Sequence, residues 1–238
     1  MSDLLSSTPK NFSHRIALLK QGEHLCSVYA DTGELLTQAV PYLKAGLANG
    51  ERCIYVADQH SKDTIVQALN FWGVSADHEM NTGRLVFWTR HDYRQPGLFD
   101  LNTMLNFINR TLDEAMRDGH TGIRLAVEMS WTLNNGINDD DLVKWEDFIN
   151  TISFPGSKVS FICQYSRRLL PCPLIAKAVQ VHPVVILGED ICPNAHYRPA
   201  DDVLAARDGH SLDELLASIT QPHRLQRSFG ARSESTLE

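Results

Sequence analysis

Gly122-Ile-Arg-Leu-Ala-Val-Glu-Met-Ser-Trp131 is the stretch on which the fold turns. Ile123, Leu125, Ala126 and Val127 make a short apolar run, the mark of a buried strand. The run ends abruptly in Glu128, Met129, Ser130 and Trp131. Open α/β sheets bind ligands outside the carboxyl ends of their strands. A carboxylate there is costly to bury unless it is paired, hydrogen-bonded or protonated, which makes Glu128 the leading functional acid.

Comparable apolar runs flank this one at 24–29, 52–57, 83–88, 159–164 and 184–187. Between them lie helical patterns: 35–47, 65–71, 100–117, 139–152 and 173–181. Pro41 falls inside the first and is expected to kink or divide it. Strands that are continuous apolar runs, alternating with helices, signify a mostly parallel sheet covered on both faces. The expected fold is therefore three-layer α/β. The organisation read from the sequence is a polar arm (1–21), one α/β body (22–199), and a terminal helix with a frayed tail (200–238).

Bulk properties narrow the function. The 238 residues are 43% hydrophobic and 21% charged, with a formal net charge of -7. A core is easily built, and direct nucleic-acid binding is disfavoured. No apolar run reaches the roughly 18 residues of a membrane span, and the amino end has no signal-peptide core, so a cytoplasmic location is expected. The five cysteines are odd in number and form no CxxC pair, the pattern of free thiols.

In a parallel sheet the polar residues after the strands converge on one rim. These include Tyr29, Asp31, Asp58, His60, His91, Glu128, Trp131, Gln164 and Tyr165. Turn and capping roles explain any one of them; acids and aromatics together suit a pocket for a small organic ligand. The first turn, Ala30-Asp-Thr-Gly-Glu34, has one glycine, no lysine and two acids, so phosphate-loop nucleotide hydrolysis is disfavoured. His24 with Cys26, and Cys192 with His196 near His182, are too loosely spaced for zinc, so no metal and no cofactor are expected. There is no GxSxG elbow for covalent catalysis. Trp72, Trp145 and Phe148 read as core, whereas Trp88 and Trp131 lie near the rim.

The order of short motifs is informative. His24-Leu-Cys-Ser-Val-Tyr29, Gly46-Leu47 with Gly50-Glu-Arg-Cys-Ile-Tyr-Val56, Glu128-Met-Ser-Trp131, Cys163-Gln-Tyr165, His182-Pro183, and Asn194 with Tyr197 together resemble the MEDS domain, a sensory domain of methanogen and methylotroph regulators. The resemblance implies a recombinase- or clock-type ATPase core with a degenerate phosphate loop, and sensing of small molecules such as hydrocarbon derivatives. The expected function is thus a non-enzymatic sensor. It would bind a small organic ligand at the rim through Tyr29, Asp31, Asp58, His91, Glu128, Trp131, Gln164, Tyr165 and His182, and signal through a protein partner or by forming homo-oligomers. Two other readings stand beside it: an enzyme using Glu128 as general base with a rim histidine, and an interaction module on a decayed ATPase core.

Overall fold

The computed structural model describes residues 12–89, 92, 100–133, 137–206 and 211–221. In chain order the elements are α1 (Phe12–Ala17), β1 (His24–Tyr29), α2 (Thr32–Ala48), β2 (Arg52–Ala57), α3 (Lys62–Phe71), α4 (Ala76–Asn81), β3 (Leu85–Thr89), α5 (Leu101–Arg117), β4 (Ile123–Glu128), α6 (Asp139–Ile152), β5 (Val159–Ser166), α7 (Cys172–Gln180), β6 (Val184–Leu187), β7 (Asp190–Pro193), α8 (Ala200–Ala205) and α9 (212–221). A single 3-10 turn, Met129–Thr132, follows β4. The strands form one sheet in the order β3-β2-β4-β5-β1-β6-β7. Every pairing is parallel except β6 with β7.

Register assigns each side chain to a face, because strand residues alternate in direction and lateral partners share one. Tyr55, Ala126, Ile162 and Leu25 are successive partners, as are Glu128, Gln164 and Ser27. This face is covered by α1 to α4 through residues such as Ile16, Leu35, Leu43, Ile65 and Ala76. Ile54, Leu125, Phe161 and His24 are partners on the other face. There Ile108 of α5, Leu142 and Ile149 of α6, Ile175 of α7 and Leu215 of α9 complete the core.

The helices after β1 and β2 cover the first face while the chain moves toward β3. Those after β3, β4 and β5 cover the second while it moves back, as right-handed crossovers require. Neighbouring strands whose exits diverge leave a crevice at their carboxyl ends. Three such pairs exist here: β3 with β2, β2 with β4, and β5 with β1.

Several expectations change. Pro41 lies inside α2 without dividing it; α2 buries Leu35, Ala39, Val40, Leu43 and Leu47, and that burial outweighs the roughly 3 kcal/mol cost of an interior proline. Part of the polar arm is helix α1, whose Ile16 is fully buried. Part of the segment after the last expected strand is β7, paired with β6. Helix α2 also sits unusually close to the sheet. A Cβ on Gly46 would fall 2.6 Å from both Arg124 Cδ and Cys53 Sγ. That closeness seals a buried ion pair in which Arg124 Nε donates to Glu51 Oε2 at 2.6 Å, with the guanidinium 4.7 Å from the Tyr42 ring centre.

Candidate functional site

Glu128 ends β4 at the crevice between β4 and β2, and the protein itself satisfies it. Its Oε1 accepts from Tyr55 Oη at 2.6 Å and lies 3.1 Å from His60 Nδ1. Its Oε2 accepts the backbone N–H groups of Asp58, Gln59 and His60 at 3.2, 2.6 and 3.1 Å. Burial works to raise the carboxyl, but the bonds from His60 and Tyr55 outweigh it and hold the group below the usual carboxylate range. His60 Nε2 lies 3.0 Å from Thr32 Oγ1, and Ser130 Oγ donates to Asp58 Oδ2 at 2.9 Å. Glu128 is therefore a latch that closes the β2–α3 turn onto β4. This corrects the expectation that its carboxylate faces a ligand: it is fully enclosed.

The other expected site residues divide between places. Tyr29 and Gln164 lie on the Glu128 face and are buried. Burial, then the Glu128 charge, push the Tyr29 phenol up, so it stays neutral. Both amide atoms of Gln164 lack a hydrogen-bond partner among the described residues. Asp31 is the exposed cap of α2, accepting the Glu34 N–H at 3.0 Å. Glu34 Oε2 accepts the Ala30 N–H at 2.7 Å, so two acids close the β1–α2 turn on its own amides. His91 lies outside the described residues.

Tyr165, Trp131 and His182 do not join Glu128. Tyr165 and Trp131 belong to the core of the opposite face, because Tyr165 is one residue out of phase with Gln164 and the turn after Glu128 carries Trp131 across. His182 precedes β6, whose first residue pairs with Leu25 near the start of β1, so it lies at the amino end of the sheet. There Tyr165 Oη donates to Glu146 Oε1 at 2.5 Å. Glu146 Oε2 lies 3.2 Å from His24 Nε2 and 3.4 Å from His182 Nε2. Cys163 completes the group: the nearest ligand-type atoms of His24, Glu146, Cys163 and His182 all lie within 4.8 Å of one another, and all four residues are buried. Burial pushes the Glu146 carboxyl up, and the two histidines pull it further down. The sequence held a signal for Glu146: it stands on the apolar stripe of Leu142, Trp145 and Ile149, where a carboxylate needs a reason.

Two spaces adjoin these groups. A cleft of about 540 Å³ runs along β3 to the turn that follows β2 and is lined by Asp58, His60, Lys62, Met80, Leu85 and Phe87, among others. An apolar cavity of about 40 Å³ beneath β4 is lined by residues including Trp88, Phe107, Trp131, Trp145 and Cys163.

The sheet order and its two helical layers define the class, a RecA-like three-layer α/β protein. The structure is similar to flagellar accessory protein FlaH from Methanocaldococcus jannaschii, with a TM-score of 0.50, 14% identity, and coverage of 79% of this chain and 83% of that one; at that identity the likeness concerns fold alone. Within the class, the chain belongs to the MEDS family, the methanogen/methylotroph DcmR sensory domain, whose model matches residues 23–183. It is 25% identical over 162 residues to the transcriptional repressor DcmR of Methylorubrum extorquens, a match spanning 67% of this chain and 58% of the repressor. The chain thus covers little more than half of that relative's length. A sensory role follows from the family. Among the described residues, no helix is long and apolar enough to cross a membrane.

Proposed function

We propose that this chain is a non-enzymatic, cytoplasmic sensor that binds a small organic ligand in the β2–β3 cleft and signals through a protein partner or by self-association. The observation that carries this reading is the coupling of the cleft to the latch. Asp58 and His60 line the cleft, and both belong to the turn that Glu128 grips. A ligand that engages this turn changes the balance between latched and released forms, to the extent that it binds one of them better. The volume lies in the range of small-molecule sites, and mixed apolar and polar lining is their usual character. The repressor relative supports a regulatory output.

Enzymatic use of Glu128 is the weaker reading. A general base needs a free lone pair within reach of substrate, and both oxygens of Glu128 are engaged inside the protein. The acids of the β1–α2 turn support a degenerate phosphate loop in the same way.

The test is a thermal-shift screen of the full chain against one- to three-carbon alcohols, carboxylates and halogenated hydrocarbons. A ligand at 100 times its Kd adds about 2.7 kcal/mol of stability. The screen should yield at least one stabilising compound, and Asp58→Ala should abolish the response without unfolding the protein. A response that survives Asp58→Ala together with Lys62→Ala places the ligand elsewhere.

A further inference from the structure

The geometry points to a divalent transition-metal site, of zinc type, held by His24, Glu146, Cys163 and His182 in the core beneath β1 and β5. The inference is independent of where an organic ligand binds.

Asn150 Nδ2 donates to the Val181 carbonyl at 2.9 Å, which turns Asn150 Oδ1 toward His24 Nδ1, also at 2.9 Å. An amide oxygen only accepts, so Nδ1 of His24 carries the proton. The Ala178 carbonyl, 2.7 Å from His182 Nδ1, fixes the same tautomer there. In its neutral form each imidazole then turns the bare lone pair of its Nε2 into the cluster. His182 Nε2 is fully buried and makes no hydrogen bond among the described residues. Glu146 spends Oε1 on the Tyr165 hydroxyl and turns Oε2 inward. Three acceptors thus meet at one point, and the single thiol hydrogen of Cys163 satisfies at most one of them. A cation at their centre resolves the conflict.

Metal–ligand bonds of about 2.0–2.3 Å at tetrahedral angles give ligand–ligand edges of roughly 3.3–3.6 Å. His24 Nε2 to Glu146 Oε2 is 3.2 Å, His182 Nε2 to Glu146 Oε2 is 3.4 Å, Cys163 Sγ to Glu146 Oε2 is 3.4 Å and Cys163 Sγ to His24 Nε2 is 3.5 Å. Four of the six edges thus lie close to tetrahedral spacing, and all four ligand atoms lie within 4.8 Å of one another.

Metal-bound imidazoles and carboxylates are normally oriented by a partner on their other polar atom, and all three such ligands here have one: Asn150, the Ala178 carbonyl and Tyr165. A doubly charged cation with one carboxylate, one thiolate and two neutral imidazoles sums to zero, the arrangement least penalised in a site closed to water. Thiolate with imidazole selects zinc over magnesium or calcium. Four protein ligands close the coordination sphere, so the site is structural: it ties β1, α6, β5 and the α7–β6 turn together. No short sequence spacing advertises it, because the ligands come from four elements.

Elemental analysis of the full chain, expressed with added zinc and purified without chelator, should find about one zinc per chain. Unfolding and refolding with cobalt should produce a near-ultraviolet thiolate-to-cobalt charge-transfer band and the strong visible absorption of tetrahedral cobalt. Cys163→Ser should remove the charge-transfer band, and His182→Gln should lower the metal content at least tenfold. If either variant fails to fold, the wild-type cobalt spectrum decides alone. Wild-type protein that refolds with cobalt and shows neither band overturns the proposal, leaving an imidazolium–carboxylate pair in the core. A charge-transfer band that persists in Cys163→Ser also overturns it.

Discussion

Glu128 and Gln164 are register partners on adjacent strands, so their side chains leave the same face of the sheet, yet their polar atoms fare oppositely. Glu128 collects hydrogen bonds on both oxygens, while neither amide atom of Gln164 finds a partner among the described residues, although the residue is fully buried. A buried amide without partners costs free energy that an apolar group of similar size does not. Gln164→Leu should therefore stabilise the ligand-free protein by about 1 kcal/mol, measured by urea denaturation. A loss of that size instead would mean that water or another group satisfies the amide in solution.

Glu128 should show its worth through pH. Its folded pKa lies below the ordinary value, so the folded state favours the ionised form. The stabilisation is complete above the unfolded value of about 4.3 and is lost as pH falls through the lower folded value. Glu128→Gln, which cannot ionise, should be less stable by about 2 kcal/mol at neutral pH. The difference should shrink as denaturation curves are repeated below about pH 4.3. A constant gap would show that shape and hydrogen bonding, without charge, account for the latch.

The pair beneath α2 makes a different prediction. Glu51 and Arg124 are each about 1% exposed, and removing one strands the other in the core. Glu51→Ala should cost about 3 kcal/mol. The double change Glu51→Leu with Arg124→Met should restore most of that loss, since apolar replacements of buried pairs are often neutral. Chemical denaturation of the three variants separates the cost of a stranded charge from the value of the pair.

Gly46→Ala tests how closely α2 lies on the sheet. Alanine is favoured over glycine in a helix by about 1 kcal/mol, so an open site would gain stability. The added methyl would meet Arg124 Cδ and Cys53 Sγ at 2.6 Å, and overpacking of this kind costs about 1–3 kcal/mol. A net decrease in Tm is expected.

Much of the fold was legible because it rests on local pattern. The apolar runs at 24–29, 52–57 and 184–187 coincide with strands, and their alternation with helices is enough to imply a parallel, doubly covered sheet. Pairing β6 with Asp190–Pro193 was not legible, since Ile191 and Cys192 alone are too short a run to signal a strand. The expected rim was only half right in physical terms. That polar groups follow the strands is a local fact, but the face each one joins depends on phase. A shift of one residue sends Gln164 toward Glu128 and Tyr165 toward Glu146. His182 stands two residues before the 184–187 run, on the amino side of a strand, so it does not share an end of the sheet with residues that follow strands. The His24, Glu146, Cys163 and His182 group escaped a search by sequence spacing because no two of its members are close along the chain.

The direction of β7 has a consequence for how copies of this protein could join. Asn194 N–H points inward to the Pro183 carbonyl, and strand residues alternate, so Ile191 and Pro193 present their backbone outward. Pro193 has no amide hydrogen, leaving that border with a missing donor and a poor template for another strand. Extension of the sheet by a neighbouring molecule is thereby discouraged on the β7 border, and any strand-to-strand assembly would have to begin beside β3.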